Sequence, residues 1–204
     1  MLICCLDLEG VLIPEIWIEV AKRTSIDGLK LTTRDIPDYD ELMQHRLGLL
    51  EEHSIGLASI QSVIGEMSPL PGAADFLEAL REQFQVAILS DTFYEFARPL
   101  MRQLHSPLLL CHRLVIEDDR IAGYQLRQAD SKREAVLAFR SLNYQVLAAG
   151  DSYNDTAMLT EADSGVLFCP PDNVIREFPQ FEVVTDYADL LSALTVAAEQ
   201  LTTN

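Results

Sequence analysis

Leu2 to Leu6 is a continuous apolar run that ends at Asp7, and the pattern recurs along the chain. Val86-Ala87-Ile88-Leu89 ends at Ser90-Asp91, Val146-Leu147-Ala148-Ala149 at Gly150-Asp151, and Val166-Leu167-Phe168 just before Pro170-Pro171. Short runs without polar alternation are what strands buried on both faces of a parallel sheet require. Glu182 to Val184 fits a fifth strand. Between these runs the apolar spacing turns helical. Phe76, Leu77, Leu80 and Phe84 share a face after a Pro-Leu-Pro-Gly turn; Phe93 to Leu104 is a second helix, with a kink or break expected at Pro99. Ser131-Lys132-Arg133-Glu134 reads as a capping box, followed by Val136, Leu137 and Phe139 on one face. Thr156 to Ala162 and the tail after Ala188 complete the set. Strands alternating with helices predict an α/β fold with a doubly wound parallel sheet.

One region breaks the alternation. From Glu15 to about Met67 every signal is helical: Ile16, Trp17 and Val20, then Leu42, Leu47 and Leu50, then Ile55, Ile60, Val63 and Ile64. The expected organisation is therefore a core of residues 1–14 and 69–204 interrupted by a helical insertion at 15–68. A β-hairpin flap is expected within Leu114 to Leu126, its tip at Glu117-Asp118-Asp119-Arg120.

Charge narrows the partners. A net charge of −17 over 204 residues repels nucleic acid and anionic membrane. No apolar run approaches the length of a membrane span, and the N-terminus lacks the basic flank of a signal peptide. Cys4, Cys5, Cys111 and Cys169 show no ligand spacing, and neighbouring Cys4 and Cys5 point to opposite faces of one strand; reduced thiols in the cytoplasm are expected.

In open α/β sheets, ligands sit beyond the carboxyl ends of the strands. Here those ends carry Asp7, Glu9, Ser90, Asp91, Asp151 and Asp155. Crowded carboxylates repel one another, and a divalent cation relieves this; oxygen-only ligation suits Mg²⁺. Asp7 would then be a nucleophile that needs no base, and Ser90 a holder of phosphate oxygens. Lys132 would face the phosphate as a compact charge. Glu9 would protonate the leaving alkoxide and later activate water. The chain has three lysines against twelve arginines, which makes Lys132 conspicuous. Against these stand plainer readings. Asp151 and Asp155 could form a turn and a helix cap, and Ser90-Asp91 a cap. Arg46 could be ion-paired and Glu15 a first-turn charge. Trp17 reads as packing, His45, His53, His105 and His112 as structural or exposed, and Pro37 to Asp40 as a turn.

At these residues the chain resembles the haloacid-dehalogenase-like phosphatases. Asp7-Leu8-Glu9-Gly10-Val11-Leu12, Ser90-Asp91-Thr92, Lys132 and Gly150-Asp151-Ser152-Tyr153-Asn154-Asp155 look like their four motifs, in order. Within that superfamily it is similar to phosphoserine phosphatases, and more narrowly to the bacterial phosphoserine phosphatase/homoserine phosphotransferase type. Residues 7–17, 33–40 and 90–96 carry that match. The resemblance implies Asp7 as phosphoryl acceptor and Mg²⁺ held by Asp7, the Glu9 carbonyl and Asp151, with Asp155 behind. It also implies Glu15 and Arg46 on the ammonium and carboxylate of a small phosphorylated amino acid, with Asn154 beside it. Ser90, Asp91 and Lys132 fall on the phosphate side. A monomer or homodimer is expected. One departure stands out: most relatives carry Asp where this chain has Glu9, and the longer side chain could favour transfer to an alcohol such as homoserine. The alternatives are a phosphatase for another small phosphometabolite and a module that is phosphorylated on Asp for signalling.

Overall fold

The computed structural model describes residues 1–32, 35, 36 and 38–203. Its centre is a seven-stranded sheet in the order β4-β3-β2-β1-β5-β6-β7. The strands are β1 (Leu2–Leu6), β2 (Gln85–Phe93), β3 (Leu108–Glu117), β4 (Arg120–Gln125), β5 (Gln145–Gly150), β6 (Ser164–Phe168) and β7 (Glu182–Val184). All pairings are parallel except β3 with β4. The chain builds outward from β1 toward β4 and then returns to build from β5 toward β7. The sheet is thus doubly wound, and β1 lies at the point where the winding reverses.

The period of two along each strand sorts side chains to two cores. Cys4, Leu6, Ile88, Leu147 and Ala149 face one. Ile3, Cys5, Ala87, Leu89, Val146 and Ala148 face the other. Cys4 and Cys5 do point apart, and all four cysteines are free thiols. Burial raises the thiol pKa of Cys5 to about 12, so it behaves as a small apolar side chain. Helices α4 (Ala73–Gln83), α5 (Tyr94–Gln103), α6 (Ser131–Ser141), α7 (Thr156–Glu161), α8 (Asp172–Glu177) and α9 (Tyr187–Thr203) flank the sheet.

Between β1 and α4 lie α1 (Ile16–Thr24), a 3₁₀ turn (Asp27–Lys30), α2 (Tyr39–Glu52) and α3 (Leu57–Gly65). Ile16, Trp17, Val20, Met43, Ile60 and Ile64 join the same apolar cluster as Phe93, Phe96 and Leu100 of the sheet layer. Trp17 meets Phe96 edge-on at 5.4 Å. Among the described residues no helix is long and apolar enough to cross a membrane.

Four expectations from the sequence need correction. Pro99 does not end α5, which runs through it to Gln103. A proline leaves the carbonyl four residues back without its donor, but the side-chain amide of Gln61 donates to Glu95 O at 2.8 Å and fills the gap. Ser131 is not a helix cap. Asp130, with φ 46°, precedes α6, and the Ser131 hydroxyl instead donates to Asp91. The hairpin has the expected tip, Asp118-Asp119, both with positive φ as a tight two-residue turn demands. Its first strand, however, begins at Leu108 and enters the parallel sheet beside β2. A four-residue apolar run after a proline carries no periodicity that distinguishes strand from helix. Of the 33–40 stretch, Thr33, Arg34 and Pro37 lie outside the described residues; Tyr39 and Asp40 open α2 instead of closing a turn.

Candidate active site

The carboxyl ends of β1, β2 and β5 converge, and the side chains there contact one another across more than a hundred residues of sequence. Asp7 follows β1 and is anchored by its own N–H, which donates to Ala149 O at 2.9 Å. Its Oδ1 accepts from Leu8 N–H at 2.7 Å and pairs with Lys132 Nζ at 2.9 Å. Lys132, buried at the start of α6, also reaches Asp155 Oδ1 at 2.7 Å and lies 3.8 Å from Asp91 Oδ2. Asp155 Oδ2 accepts the N–H groups of Asp151 at 2.9 Å and Ser152 at 3.1 Å. The plainer reading of Asp155 as the cap of α7 does not hold, since its side chain makes no cap bond to that helix; Oδ2 instead completes a capping box with Ser152 on the 3₁₀ turn Tyr153–Asp155, while its other oxygen holds the lysine.

One oxygen each from Asp7, Asp151 and Asp155 lies within 4.8 Å of the others. Gly10 makes this approach possible. Its φ is 80°, and a Cβ there would stand 2.4 Å from the Asp151 carboxylate. A single buried lysine does not balance these acids. Burial pushes Asp7 well above the ordinary carboxyl range, and the Asp155 and Asp151 charges add to this against the pull of Lys132. Burial, then Asp155 and Glu15, raise Asp151 to about 7. Lys132 goes the other way from what its burial favours: Asp155, Asp7 and Asp91 keep it protonated well above the usual lysine value. The donor set is all carboxylate oxygen and short of positive charge, which fits a hard divalent cation.

Beside this cluster opens a cavity of about 330 Å³, lined among others by Glu9, Glu15, Trp17, Arg46 and Ser90. Arg46 is buried. It donates to Leu31 O at 2.8 Å, lies over the Trp17 ring at 4.7 Å, and its Nε has no partner among the described residues. Glu15 stands at the mouth beside Glu9. Burial of its carboxyl, then the charge and hydrogen bond of Glu9, raise it to about 8. Glu9 Oε2 accepts from Ile16 N–H at 3.1 Å, so its longer side chain reaches the first turn of α1. Ser90 is buried and its Oγ accepts Thr92 N–H at 3.2 Å. Neither Ser90 nor Asp91 caps a helix, since α5 begins only at Tyr94.

The structure thus brings Asp7, Asp151, Asp155, Lys132, Asp91 and Asn154 into one network, with Asn154 Nδ2 donating to Asp91 Oδ2 at 3.2 Å. Glu9, Glu15, Arg46 and Ser90 line the adjoining cavity. Two neighbours of Asp91, read from the sequence as a structural or exposed histidine and a turn residue, were not expected at the site. Tyr39 donates its hydroxyl to Asp91 O at 3.1 Å, and His112 places Nε2 at 3.5 Å from Asp91 Oδ1. Burial alone raises Asp91, but Lys132 and the bonds from His112 and Asn154 outweigh it and hold the carboxyl well below its ordinary range. These contacts join elements far apart in the chain, and no local pattern announces them.

A family model for haloacid dehalogenase-like hydrolases matches residues 1–163. The phosphoserine phosphatase ThrH of Pseudomonas aeruginosa is 65% identical over 191 residues, 93% of each chain. A phosphoserine phosphatase of Pseudomonas syringae pv. tomato is 64% identical over 92% of this chain and 80% of its own. Among solved structures, the phosphoserine phosphatase from T. onnurineus in complex with NDSB-201 superposes with a TM-score of 0.74 at 26% identity, covering 95% of this chain and 94% of that one. A phospho-aspartyl intermediate analogue of phosphoserine phosphatase shares the fold, with a TM-score of 0.78 at 17% identity over 94% and 97% of the two chains.

Proposed function

The chain belongs to the haloacid dehalogenase-like hydrolases, and from that premise we propose that it is a cytoplasmic, Mg²⁺-dependent phosphatase that hydrolyses O-phospho-L-serine through phosphorylated Asp7. The observation that carries this reading is the pairing of Asp7 with Lys132 at 2.9 Å in the lining of a cavity that Glu15 and Arg46 also line. Both named Pseudomonas relatives bear the same activity in their names. The free thiols, two of them adjacent on a buried strand, suit a reducing compartment.

Asp7 and Asp151, with the Glu9 carbonyl, would hold the cation, which supplies charge neutralisation between nucleophile and phosphate. Asp7 Oδ1 is occupied by Leu8 N–H and Lys132, which leaves Oδ2 to attack phosphorus. As the Oδ2–P bond forms, the P–O bond to serine breaks, and Glu9, once it has taken up a proton from solvent, gives it to the departing alkoxide. Glu9 then takes a proton from water as that oxygen attacks phosphorus and frees Asp7. Lys132 and Ser90 face the phosphoryl oxygens, and Asp155 fixes the lysine. Arg46 and Glu15 take the carboxylate and ammonium of the amino acid, with Asn154 and Asp91 alongside.

Residues 15–68 act as a cap that shields the intermediate from bulk water. The bond from Ile16 N–H to Glu9 ties the acid–base group to that cap. This favours a second acceptor. An alcohol such as homoserine, one methylene longer than serine, can occupy the place serine has left and receive the phosphoryl group. The test is a panel of small phosphate monoesters with Mg²⁺, with and without homoserine. Phosphoserine should rank among the best substrates, and homoserine should divert product from phosphate to phosphohomoserine. A panel led by sugar or nucleotide phosphates overturns the amino-acid reading.

A further inference from the structure

We propose that His112 is a positioning residue for phosphoryl transfer, acting through Asp91 on Asn154 and Lys132; this rests on the phosphatase reading above. His112 is 3% exposed and sits opposite Phe93 where β3 pairs with β2, just past an irregularity in the β2 register. Its tautomer is set by its neighbours. Nδ1 accepts the N–H of Arg127 at 3.1 Å, so the ring proton lies on Nε2, which faces Asp91 Oδ1 at 3.5 Å. The rings of Tyr39 and Phe93 flank the imidazole, each with its centroid 6.3 Å away, Tyr39 edge-on and Phe93 tilted.

Asp91 needs this restraint. Its carboxylate lies 3.8 Å from Lys132 Nζ, while Lys132 makes its short contacts to Asp7 and Asp155. A carboxylate free to turn would draw the lysine toward itself and away from the phosphoryl site. Three hydrogen bonds and one close polar contact, from separate elements, oppose the turn. Ser131 of α6 donates to Oδ1, beside which His112 Nε2 of β3 stands at 3.5 Å, Asn154 donates to Oδ2, and Tyr39 of α2 donates to the Asp91 carbonyl. Asn154 is in turn held by the Ser152 hydroxyl. His112 touches none of the reacting atoms; its role is to keep Asp91 where Asn154 and Lys132 keep their aim.

Two measurements test this. Long-range ¹⁵N–¹H NMR of the wild type should show His112 as the Nε2–H tautomer. An Nδ1–H tautomer overturns the proposal whatever the enzyme turns over. Kinetics of His112→Phe and His112→Gln should then be compared on p-nitrophenyl phosphate and on phosphoserine. Phe fills the space without a donor and should lower kcat by roughly ten- to a hundredfold, since small misplacements cost that much, with KM little changed. Gln restores an N–H near the Nε2 position and should recover most of the loss. Near-wild-type kcat in His112→Phe overturns the proposal, as does a Gln variant as slow as Phe. Should His112→Phe not fold, Ser131→Ala removes the other donor to the same oxygen and should lower kcat in the same way; unchanged kcat there also overturns the proposal. A wild type that turns over p-nitrophenyl phosphate but not phosphoserine defeats the substrate reading alone and leaves this test intact.

Discussion

Lys132 shows how much one side chain carries here. It is the sole lysine after Lys30, it is 2% exposed, and it holds Asp7 and Asp155 at 2.9 and 2.7 Å. Removing one partner of a buried ion network leaves the others uncompensated, at a cost of about 3 kcal/mol or more. Lys132→Met should therefore lose that much stability in chemical denaturation as well as turnover; a fully active or fully stable variant contradicts its place in the account. In the proposed function Arg46 serves binding instead. Arg46→Ala should raise KM for phosphoserine at least roughly tenfold, as the loss of a charge-assisted bond implies, and change kcat less; steady-state kinetics reads both. At this scale the sequence was legible where residues close an apolar run, as Asp7 and Asp151 do directly after β1 and β5 and Asp91 does within β2. It did not place His112 and Tyr39 at the site, because strand register and cap docking bring them to Asp91. Ser131 was misread for the same reason. Its local pattern matched a helix cap, but a partner forty residues away took its hydroxyl.

Among elements, the hairpin and the cap helices share one restraint. Asp119 at the hairpin tip accepts Leu57 N–H on its carbonyl at 2.7 Å and Ala58 N–H on its carboxylate at 2.8 Å, so it caps α3 from outside the helix. Gly56 leaves room for it: a Cβ there would fall 2.0 Å from Asp119 Oδ2. Tyr124 of β4 adds a bond from its hydroxyl to the Asp40 carboxylate at the start of α2. Asp119→Ala should cost about 1 kcal/mol, or about 2–4 °C in Tm for a chain of this size. Hydrogen exchange over residues 57–65 should speed up; unchanged exchange there removes the hairpin as a restraint on α3. The strands β1, β5, β6 and β7 were plain from apolar runs, and so was the hairpin tip. The first half of β3 was not. Nor was the continuity of α5 through Pro99, which depends on a donor from α3.

For the whole molecule, the balance of acids sets how stability follows pH. Glu15, at about 8, and Asp151, at about 7, are raised above their ordinary values of 4.5 and 3.8. The folded state binds more protons there than the unfolded chain. Their contribution is thus greatest below about pH 4 and is lost as pH rises through about 7 and 8, with water at the mouth screening part of the Glu15 effect. Asp91 works oppositely: its depressed carboxyl adds stability above its ordinary 3.8, lost as pH falls below that. The cation-free protein should therefore melt lower at about pH 8 than at about pH 6. Glu15→Gln should flatten part of that slope. Mg²⁺ should raise Tm more at the higher pH, where Asp7 and Asp151 ionise more readily. Melting curves at both values check this, and a cation effect that shrinks with rising pH contradicts it. The doubly wound sheet and the segment inserted after β1 were legible from the order of apolar runs alone. The charge deficit was legible only as a count of acids, because burial and proximity, which set its size, appear only in the fold.

All of this chemistry converges on Asp7, and the most direct test is to trap what forms there. The protein should be mixed with phosphoserine and Mg²⁺, quenched in acid during steady turnover, and digested for mass spectrometry. The peptide containing Asp7 should carry one added phosphoryl group, and borohydride should reduce it at that residue. Continued turnover with Asp7 unmodified at every quench time, or with the phosphoryl group on another side chain, would contradict the account.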